Sequence, residues 1–200
     1  MNSEYVYNTI EKSAFAEFKD RGSKFLAYAY PLLAVEEFKT QLAELKKEHP
    51  KAVHHCFAYR LGTDGTQFRV SDDGEPAGTA GRPILGQIDS KGLTNILVIV
   101  VRYFGGTLLG VPGLINAYKI SAAMVLQQSS IITKPITQIL KIQFDYQLMN
   151  EVMMMIKKYE CEIINRNTGL FCVFDIAVPK KNFDQFDKAG RTMKGLEILS

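Results

Sequence analysis

The strongest concentration of reactive side chains in this 200-residue chain lies in SDDGEPAGTAGRPILG, residues 71–86 (the acidic loop). Its carboxylates, Asp72, Asp73 and Glu75, could bind a divalent cation or orient a polar ligand. Their spacing differs from that of an EF-hand loop, which needs oxygen ligands at alternating positions and a later glutamate. No Lys-Ser or Lys-Thr pair closes the glycine pattern, so the loop is neither a Walker A loop nor a dinucleotide fingerprint.

The glycines of the acidic loop leave two interpretations open. Glycine lets a backbone turn sharply, pack closely against another segment or approach a ligand. Alternatively, the stretch is a surface turn that leads into a helix, with Thr79 as the capping residue and Pro83 in the first turn. An apolar, helix-like segment follows the loop in either case.

Two adjacent histidines, His54 and His55, begin a strand-like stretch. Neighbouring residues on a strand point to opposite faces, so one histidine should face the core side and the other solvent or a cleft. The pair cannot easily ligate one metal ion, and no His-Glu-x-x-His pattern or Cys/His cluster accompanies it. We therefore expect no metal and no cofactor here, and either a hydrogen-bonded histidine or a general base.

Arg102 interrupts the apolar run NILVIVVRYF, and Gly105-Gly106 follows it. A charged arginine inside an apolar strand costs free energy unless it is paired. A carboxylate of the acidic loop is the obvious partner. The arrangement is then either a structural ion pair or an anion-binding groove formed by Arg102 and the exposed amides of the glycines.

Nucleophilic catalysis has weak candidates in Cys56, Ser71 and Ser121, because none lies in a nucleophile elbow. The remaining cysteines, Cys161 and Cys172, are widely spaced and form no Cys-x-x-Cys pattern. This cysteine usage is typical of reduced thiols in the cytosol rather than of a disulfide framework. Because none of the candidate nucleophiles lies in a nucleophile elbow, hydrolase chemistry is disfavoured.

Hydrophobic periodicity predicts an α+β organisation, with a domain boundary at Pro135. The buried strand at 95–104 should be central because it is almost wholly apolar. The predicted elements of residues 1–135 are strands at 25–30, 54–61, 66–70 and 95–104 and helices at 35–47 and 114–129.

Residues 136–200 follow the order β-α-β-β-α-β, which is that of the ferredoxin-like split βαβ fold. The predicted strands lie at 139–146, 162–166, 170–178 and 196–199, and the predicted helices lie at 148–159 and 182–193.

Bulk composition excludes several classes of protein. The formal net charge is +3, so binding to nucleic acid would need a local basic patch. No stretch approaches the roughly 18 apolar residues of a membrane span. The N-terminal MNSEYVYNTIEKSAF lacks a basic region followed by an apolar one, so we expect no secretory signal, no membrane association and a cytoplasmic location.

Three stretches together resemble the YigZ/IMPACT family: HHCFAYRLG, SDDGEPAGTAGRPILGQI and ILVIVVRYFGGTLLGVPGLINAY. The two-domain length resembles the bacterial YigZ branch. Val111-Pro112 departs from the pattern, because a small or glycine-rich pair is commoner there. The family's marked positions correspond to His54, His55, Asp72, Asp73, Gly74, Glu75, Pro76, Gly78, Thr79, Gly81, Arg102, Tyr103, Gly105, Gly106 and Gly110.

The resemblance implies the fold of both domains. Residues 1–135 would form a ribosomal-protein-like α/β sandwich with a left-handed βαβ crossover. Residues 136–200 would be ferredoxin-like and similar to the C-terminal domains of elongation factor G. Eukaryotic relatives regulate translation by competing for the activator of a kinase, through an additional N-terminal domain, so that mechanism is not expected of this chain.

The resemblance suggests a binding protein of the translation apparatus that contacts RNA, the ribosome or translation factors, and a weak homo-oligomer is a further expectation. Lys24, Arg82 and Arg102 would contact phosphate, and Tyr103 or Phe104 would stack on a base. The alternative is an enzyme acting on a small phosphorylated or acyl substrate. In that case His54 or His55 would be the general base, oriented by Asp72 or Asp73.

Overall fold

The computed structural model describes residues 4–199, which divide into two compact units. The first unit comprises Tyr7–Lys134. The second comprises Glu4–Val6 and residues 135–199. The strands of the first unit are β1 (Val6–Ile10), β2 (Ala14–Asp20), β3 (Ser23–Pro31), β4 (His54–Leu61), β5 (Gln67–Ser71), β6 (Ile96–Tyr103) and β7 (Ile131–Pro135).

Five of these strands form one antiparallel sheet in the order β2-β3-β6-β4-β5, and β1 pairs with β7. Side chains alternate between the two faces of the sheet, so Phe25 and Cys56 lie on one face while Leu26 and Phe57 lie on the other. Both faces are covered by helices, which explains why the central strand β6 is apolar from Ile96 to Val101. The helices are α1 (Val35–Glu48), α2 (Gly81–Ser90) and α3 (Gly110–Gln128).

Helix α1 packs on the face of Leu26, and α2 and α3 pack on the face of Phe25. Helix α1 connects β3 to β4, which are parallel because each is antiparallel to β6 between them. Helix α2 connects β5 to β6, which are parallel across β4. The two connections differ in strand direction, in the direction of the step along the sheet and in the face covered. Each of these three differences reverses the hand of the crossover, so the two crossovers have opposite hands. One of them is therefore left-handed, as the family resemblance implies.

The strands at the start of the chain differ from the prediction, which places the first strand at residue 25. Strand β2 is an edge strand in which Ala14, Ala16 and Phe18 pack against the core while Phe15, on the other face, is exposed, and its pairing with β3 holds it in the sheet. Its own sequence, AFAEFKD, therefore predicts a strand only weakly. Helix α3 begins at Gly110 rather than at Leu114, and Pro112 lies in its first turn as predicted.

The second unit has the predicted order β-α-β-β-α-β. Its sheet is antiparallel in the order β11-β8-β10-β9, and both helices pack on one face around Phe144, Phe174 and Phe186. This is the ferredoxin-like fold. Its elements are β8 (Thr137–Phe144), α4 (Met149–Lys158), β9 (Glu162–Thr168), β10 (Cys172–Pro179), α5 (Phe183–Thr192) and β11 (Leu196–Leu199). Across residues 4–199, every helix is too short or too polar to cross a membrane.

Candidate functional site

The candidate site begins with a row of side chains across three strands of the first unit. His54 on β4 is the cross-strand partner of Arg102 on β6, and Arg102 is the partner of Phe25 on β3. All three lie on the face covered by α2 and α3. The acidic loop, between β5 and α2, provides the carboxylates that meet this row.

Arg102 is held in a buried polar network. Its Nη1 lies 2.6 Å from Glu75 Oε1, and the Tyr118 hydroxyl donates to the same oxygen at 2.8 Å. The side chains of Arg102 and Glu75 are 6% and 3% exposed, so water screens the pair little. Burial raises the pKa of Tyr118 above its ordinary value, so its hydroxyl stays protonated and donates. The predicted carboxylate partner of Arg102 is thus Glu75, and the pair neutralises the charge of Arg102.

Asp72 binds three backbone amides and orders the acidic loop. Its Oδ1 accepts hydrogen bonds from Ala80 and Gly81 at 3.0 and 2.9 Å, and its Oδ2 accepts one from Gly78 at 2.9 Å. These amides include the start of α2, so Asp72 satisfies the helix end. The predicted cap, Thr79, is wrong: its hydroxyl donates instead to the Pro76 carbonyl at 2.7 Å. The loop folds back on itself, so the carboxylate of Asp72, rather than the hydroxyl of Thr79, binds the amides at the start of α2.

Replacing Asp72 with alanine should destabilise the first unit by about 1–2 kcal/mol, the usual cost of losing a helix cap. Burial raises the pKa of Asp72, but its three backbone hydrogen bonds outweigh burial and hold it below 3.8. The stabilisation is therefore present above pH 3.8 and lost as the pH falls through the lower folded pKa. Urea unfolding of both proteins as a function of pH measures this. A stability difference that persists undiminished at pH values well below the folded pKa would contradict the assignment.

Asp73 ties the acidic loop to both histidines of β4. Its Oδ2 accepts from the His55 backbone amide at 2.7 Å, and its carbonyl accepts from His54 Nδ1 at 2.8 Å. Asp73 has φ of 41°, a left-handed conformation that aspartate tolerates better than most residues. His54 and His55 point to opposite faces, as predicted. His55 is buried on the α1 face, and burial lowers its pKa.

The packing around Gly105 explains why this position is a glycine. A Cβ atom on Gly105 would lie 1.9 Å from the carbonyl carbon of Gly22, so the two backbones touch. The Gly105 amide also donates to Ser23 Oγ at 3.2 Å. Close backbone packing, rather than approach to a ligand, therefore accounts for glycine at this position.

A cleft of about 480 Å³ lies above the network. The polar residues of its lining, here called the floor, are His54, Glu75 and Arg102, and almost all of the surface that the lining presents to the cleft is apolar. Its rim is apolar and exposed, since the residues Leu108 and Phe104 are 82% and 48% exposed. The walls and rim are formed by Val53, Pro76, Phe104, Leu108, Leu109, Gly110, Val111 and Leu114.

The other predicted site residues lie elsewhere. Tyr103 is on the α1 face, where its hydroxyl lies 2.9 Å from His49 Nδ1. Lys24 pairs with Glu17 at 3.2 Å, and Arg82 lies over the ring of Phe68 at 6.0 Å. The proposed phosphate contacts of Lys24, Arg82 and Arg102 are therefore not a common patch. The cross-strand partner of Lys24 is Tyr103, so Lys24 and Arg102 point to opposite faces of the sheet. The charge of Arg102 is also already neutralised by Glu75.

Of the remaining predicted residues, Gly74 packs beside His54, since a Cβ there would lie 3.3 Å from its Nδ1. Gly78 and Gly106 have no atom within 4 Å of such a Cβ. The apolar rim after Gly106 was not predicted, and the consecutive leucines of TLLGVPGL are the available signal for it. Among residues 4–199 no three His, Cys, Asp or Glu side chains are placed to hold a metal ion.

Comparison with known proteins agrees with this architecture. Residues 21–126 match the Impact N-terminal domain, which contains every residue of the cleft. A crystal structure described as that of a hypothetical protein is similar with a TM-score of 0.75 and 30% identity, over 99% of this chain and 98% of that chain.

Two bacterial relatives match most of the sequence. An IMPACT family member of Haemophilus influenzae is 36% identical over 182 residues, covering 88% of this chain and 87% of that protein. The IMPACT family member YigZ of Escherichia coli is 35% identical over 167 residues, covering 82% and 81%. The chain therefore belongs to the IMPACT family.

Proposed function

We propose that this chain is a translation-associated binding protein of the cytoplasm, and that it contacts RNA or the ribosome through the cleft of its first unit. Membership of the IMPACT family supports a role in translation, since its eukaryotic relatives regulate that process. The near-neutral net charge of +3 favours modest affinity for RNA.

The observation that carries the proposal is the division of the cleft into a neutralised floor and an apolar rim. Arg102 and Glu75 are paired with each other, so neither provides a free charge. The surface left for a partner is the exposed apolar rim, including the ring of Phe104 and the side chain of Leu108. A contiguous exposed apolar surface is typical of binding sites.

The enzyme alternative is less well supported by the same geometry. The carboxylate of Asp72 binds backbone amides, and that of Asp73 binds the His55 amide, so neither orients His54. Burial raises the pKa of Cys56, which keeps its thiol protonated. His54 reaches the cleft without a carboxylate on its Nδ1, which is bonded to a backbone carbonyl.

The second unit supports binding by the first unit indirectly. The sheet face opposite its helices carries Lys141, which lies 3.7 Å from Asp175, and the acidic Glu197. Sheets that bind RNA stack bases on aromatic side chains. The outward-facing positions of β8, β9, β10 and β11 carry no aromatic residue. We therefore assign the contact with the translation apparatus to the first unit.

The proposal is tested by binding of the full chain to ribosomes, ribosomal RNA and tRNA at about 50 mM salt, where phosphate contacts are strong. We expect cosedimentation with ribosomes or a saturable shift with one of the RNAs, weakening as salt is raised. The absence of binding to all three under these conditions would contradict the proposed function.

A further inference from the structure

The floor of the cleft contains an incompletely bonded carboxylate. Glu75 Oε1 accepts from both Arg102 and Tyr118. Glu75 Oε2 has His54 Nε2 as its nearest ionic contact, at 3.8 Å, which is too long for a hydrogen bond. No hydrogen bond to Oε2 comes from the residues that the structure describes. The Glu75 side chain is only 3% exposed, so little water reaches Oε2, and a donor group on a ligand in the cleft would complete its hydrogen bonding.

His54 presents a second acceptor beside this oxygen. Its Nδ1 is bonded to the Asp73 carbonyl, and a carbonyl only accepts, so Nδ1 carries the proton. In the neutral ring the other nitrogen, Nε2, is then an acceptor. Both His54 and Glu75 line the cleft. The two acceptors, 3.8 Å apart, are close enough for one NH₂ group to donate a hydrogen to each.

Charge decides between a neutral and a cationic donor. Glu75 and Arg102 form a pair whose charges sum to zero. A ligand ammonium would add an uncompensated charge to an apolar cleft, which is costly. A neutral NH₂ group would satisfy Glu75 Oε2 and His54 Nε2 without that cost.

The side chains that line the walls of the cleft indicate which class of ligand carries the NH₂ group. The Phe104 ring is half-exposed on the cleft and offers a flat surface for stacking, while Leu108 and Leu109 provide apolar contact. A volume of about 480 Å³ is in the range of small-molecule pockets. A planar heterocycle fits these walls better than a flexible chain, because stacking on an aromatic ring is available to every base.

We propose that the cleft binds an aminated nucleobase of the adenine or cytosine type, with its exocyclic NH₂ donating to Glu75 Oε2 and His54 Nε2 and its ring against Phe104. The ligand is either an unstacked base of RNA or a free nucleoside or nucleotide. The proposal deepens the proposed function and, for the RNA source, rests on it. Uracil and hypoxanthine carry a carbonyl oxygen where the NH₂ group stands, so they would place an acceptor against two acceptors.

The test is titration of the full chain with adenosine, cytidine, inosine and uridine, with binding measured by calorimetry or NMR. We expect adenosine and cytidine to bind at least about tenfold more tightly than inosine and uridine, because an unpaired polar group at the site rejects the analogue. Short oligo(A) and oligo(U) form a second arm. Preference for oligo(A) over both oligo(U) and adenosine identifies RNA as the source, whereas equal affinity for adenosine and oligo(A) identifies the free nucleoside.

A matched pair of variants locates the site. Phe104→Leu should weaken adenosine binding about tenfold through loss of stacking. Phe15→Leu changes a phenylalanine of similar exposure that lies on the α1 face, and should leave binding unchanged. Melting temperatures of both variants confirm that they fold.

The outcomes separate this inference from the proposed function. Equal binding of adenosine and inosine, or no binding of adenosine and oligo(A) by a chain that still binds ribosomes, would overturn the inference alone. Selective adenosine binding by a chain that binds no RNA and no ribosome would support the nucleobase site and overturn the translation role.

Discussion

Replacing Glu75 with alanine should destabilise the first unit by about 3–5 kcal/mol, the cost of leaving one member of a buried ion pair without its partner. Arg102 would keep its charge in a site where its side chain is 6% exposed. Its Nε already has no hydrogen-bond partner among the described residues, so the 3.5 Å contact to Ser23 Oγ would be the one hydrogen bond left to the guanidinium there, beside its contacts with the Phe25 and Phe104 rings. Urea-induced unfolding followed by circular dichroism measures the change.

The control is the double variant Glu75→Leu/Arg102→Met. Both charges are then removed, and apolar side chains of similar volume are often neutral or stabilising at such sites. We expect the double variant to be more stable than Glu75→Ala despite carrying one more substitution. Equal or greater loss in the double variant would show that the charge of Arg102 is not the origin of the cost.

Replacing Gly105 with alanine should cost at least about 3 kcal/mol, the upper end of overpacking effects in proteins. The new Cβ would lie 1.9 Å from the Gly22 carbonyl carbon and 2.2 Å from the Ser23 amide nitrogen. These are backbone atoms that no side-chain rotation can move, so β3 and the segment after β6 would have to separate. Chemical unfolding of the purified variant measures the loss.

The neighbouring glycine provides the comparison. Gly106 has φ of 85°, and nothing lies within 4 Å of the position that a Cβ atom would occupy there. Gly106→Ala should therefore cost only about 1–2 kcal/mol, the strain of a left-handed conformation. Similar losses at Gly105 and Gly106 would contradict the close approach of the Gly22 and Gly105 backbones.

The parts of the fold that could be predicted from sequence are those with a local signal. The apolar run of β6 predicts a central strand, and the charge of Arg102 within it predicts a carboxylate partner. The second unit is predictable because its alternating strands and helical stretches follow one another without long gaps. In these places periodicity and burial agree.

The parts that could not be predicted depend on contacts distant in sequence. The start of α2 has a threonine at a plausible capping position, but Asp72 reaches its amides through the folded loop. Edge strand β2 depends on pairing with β3. The separation of Lys24 from Arg102 follows from strand register, which places Lys24 opposite Tyr103 and Phe25 opposite Arg102.

Ribosome cosedimentation of two leucine variants tests the central claim most directly, namely that the apolar rim of the cleft is the binding surface. Leu108→Glu places a charge on the rim, and Leu33→Glu adds the same charge at an exposed leucine outside the cleft. We expect Leu33→Glu to sediment with ribosomes like the wild type, and we expect folded Leu108→Glu not to do so. Cosedimentation of Leu108→Glu at the wild-type level would contradict it.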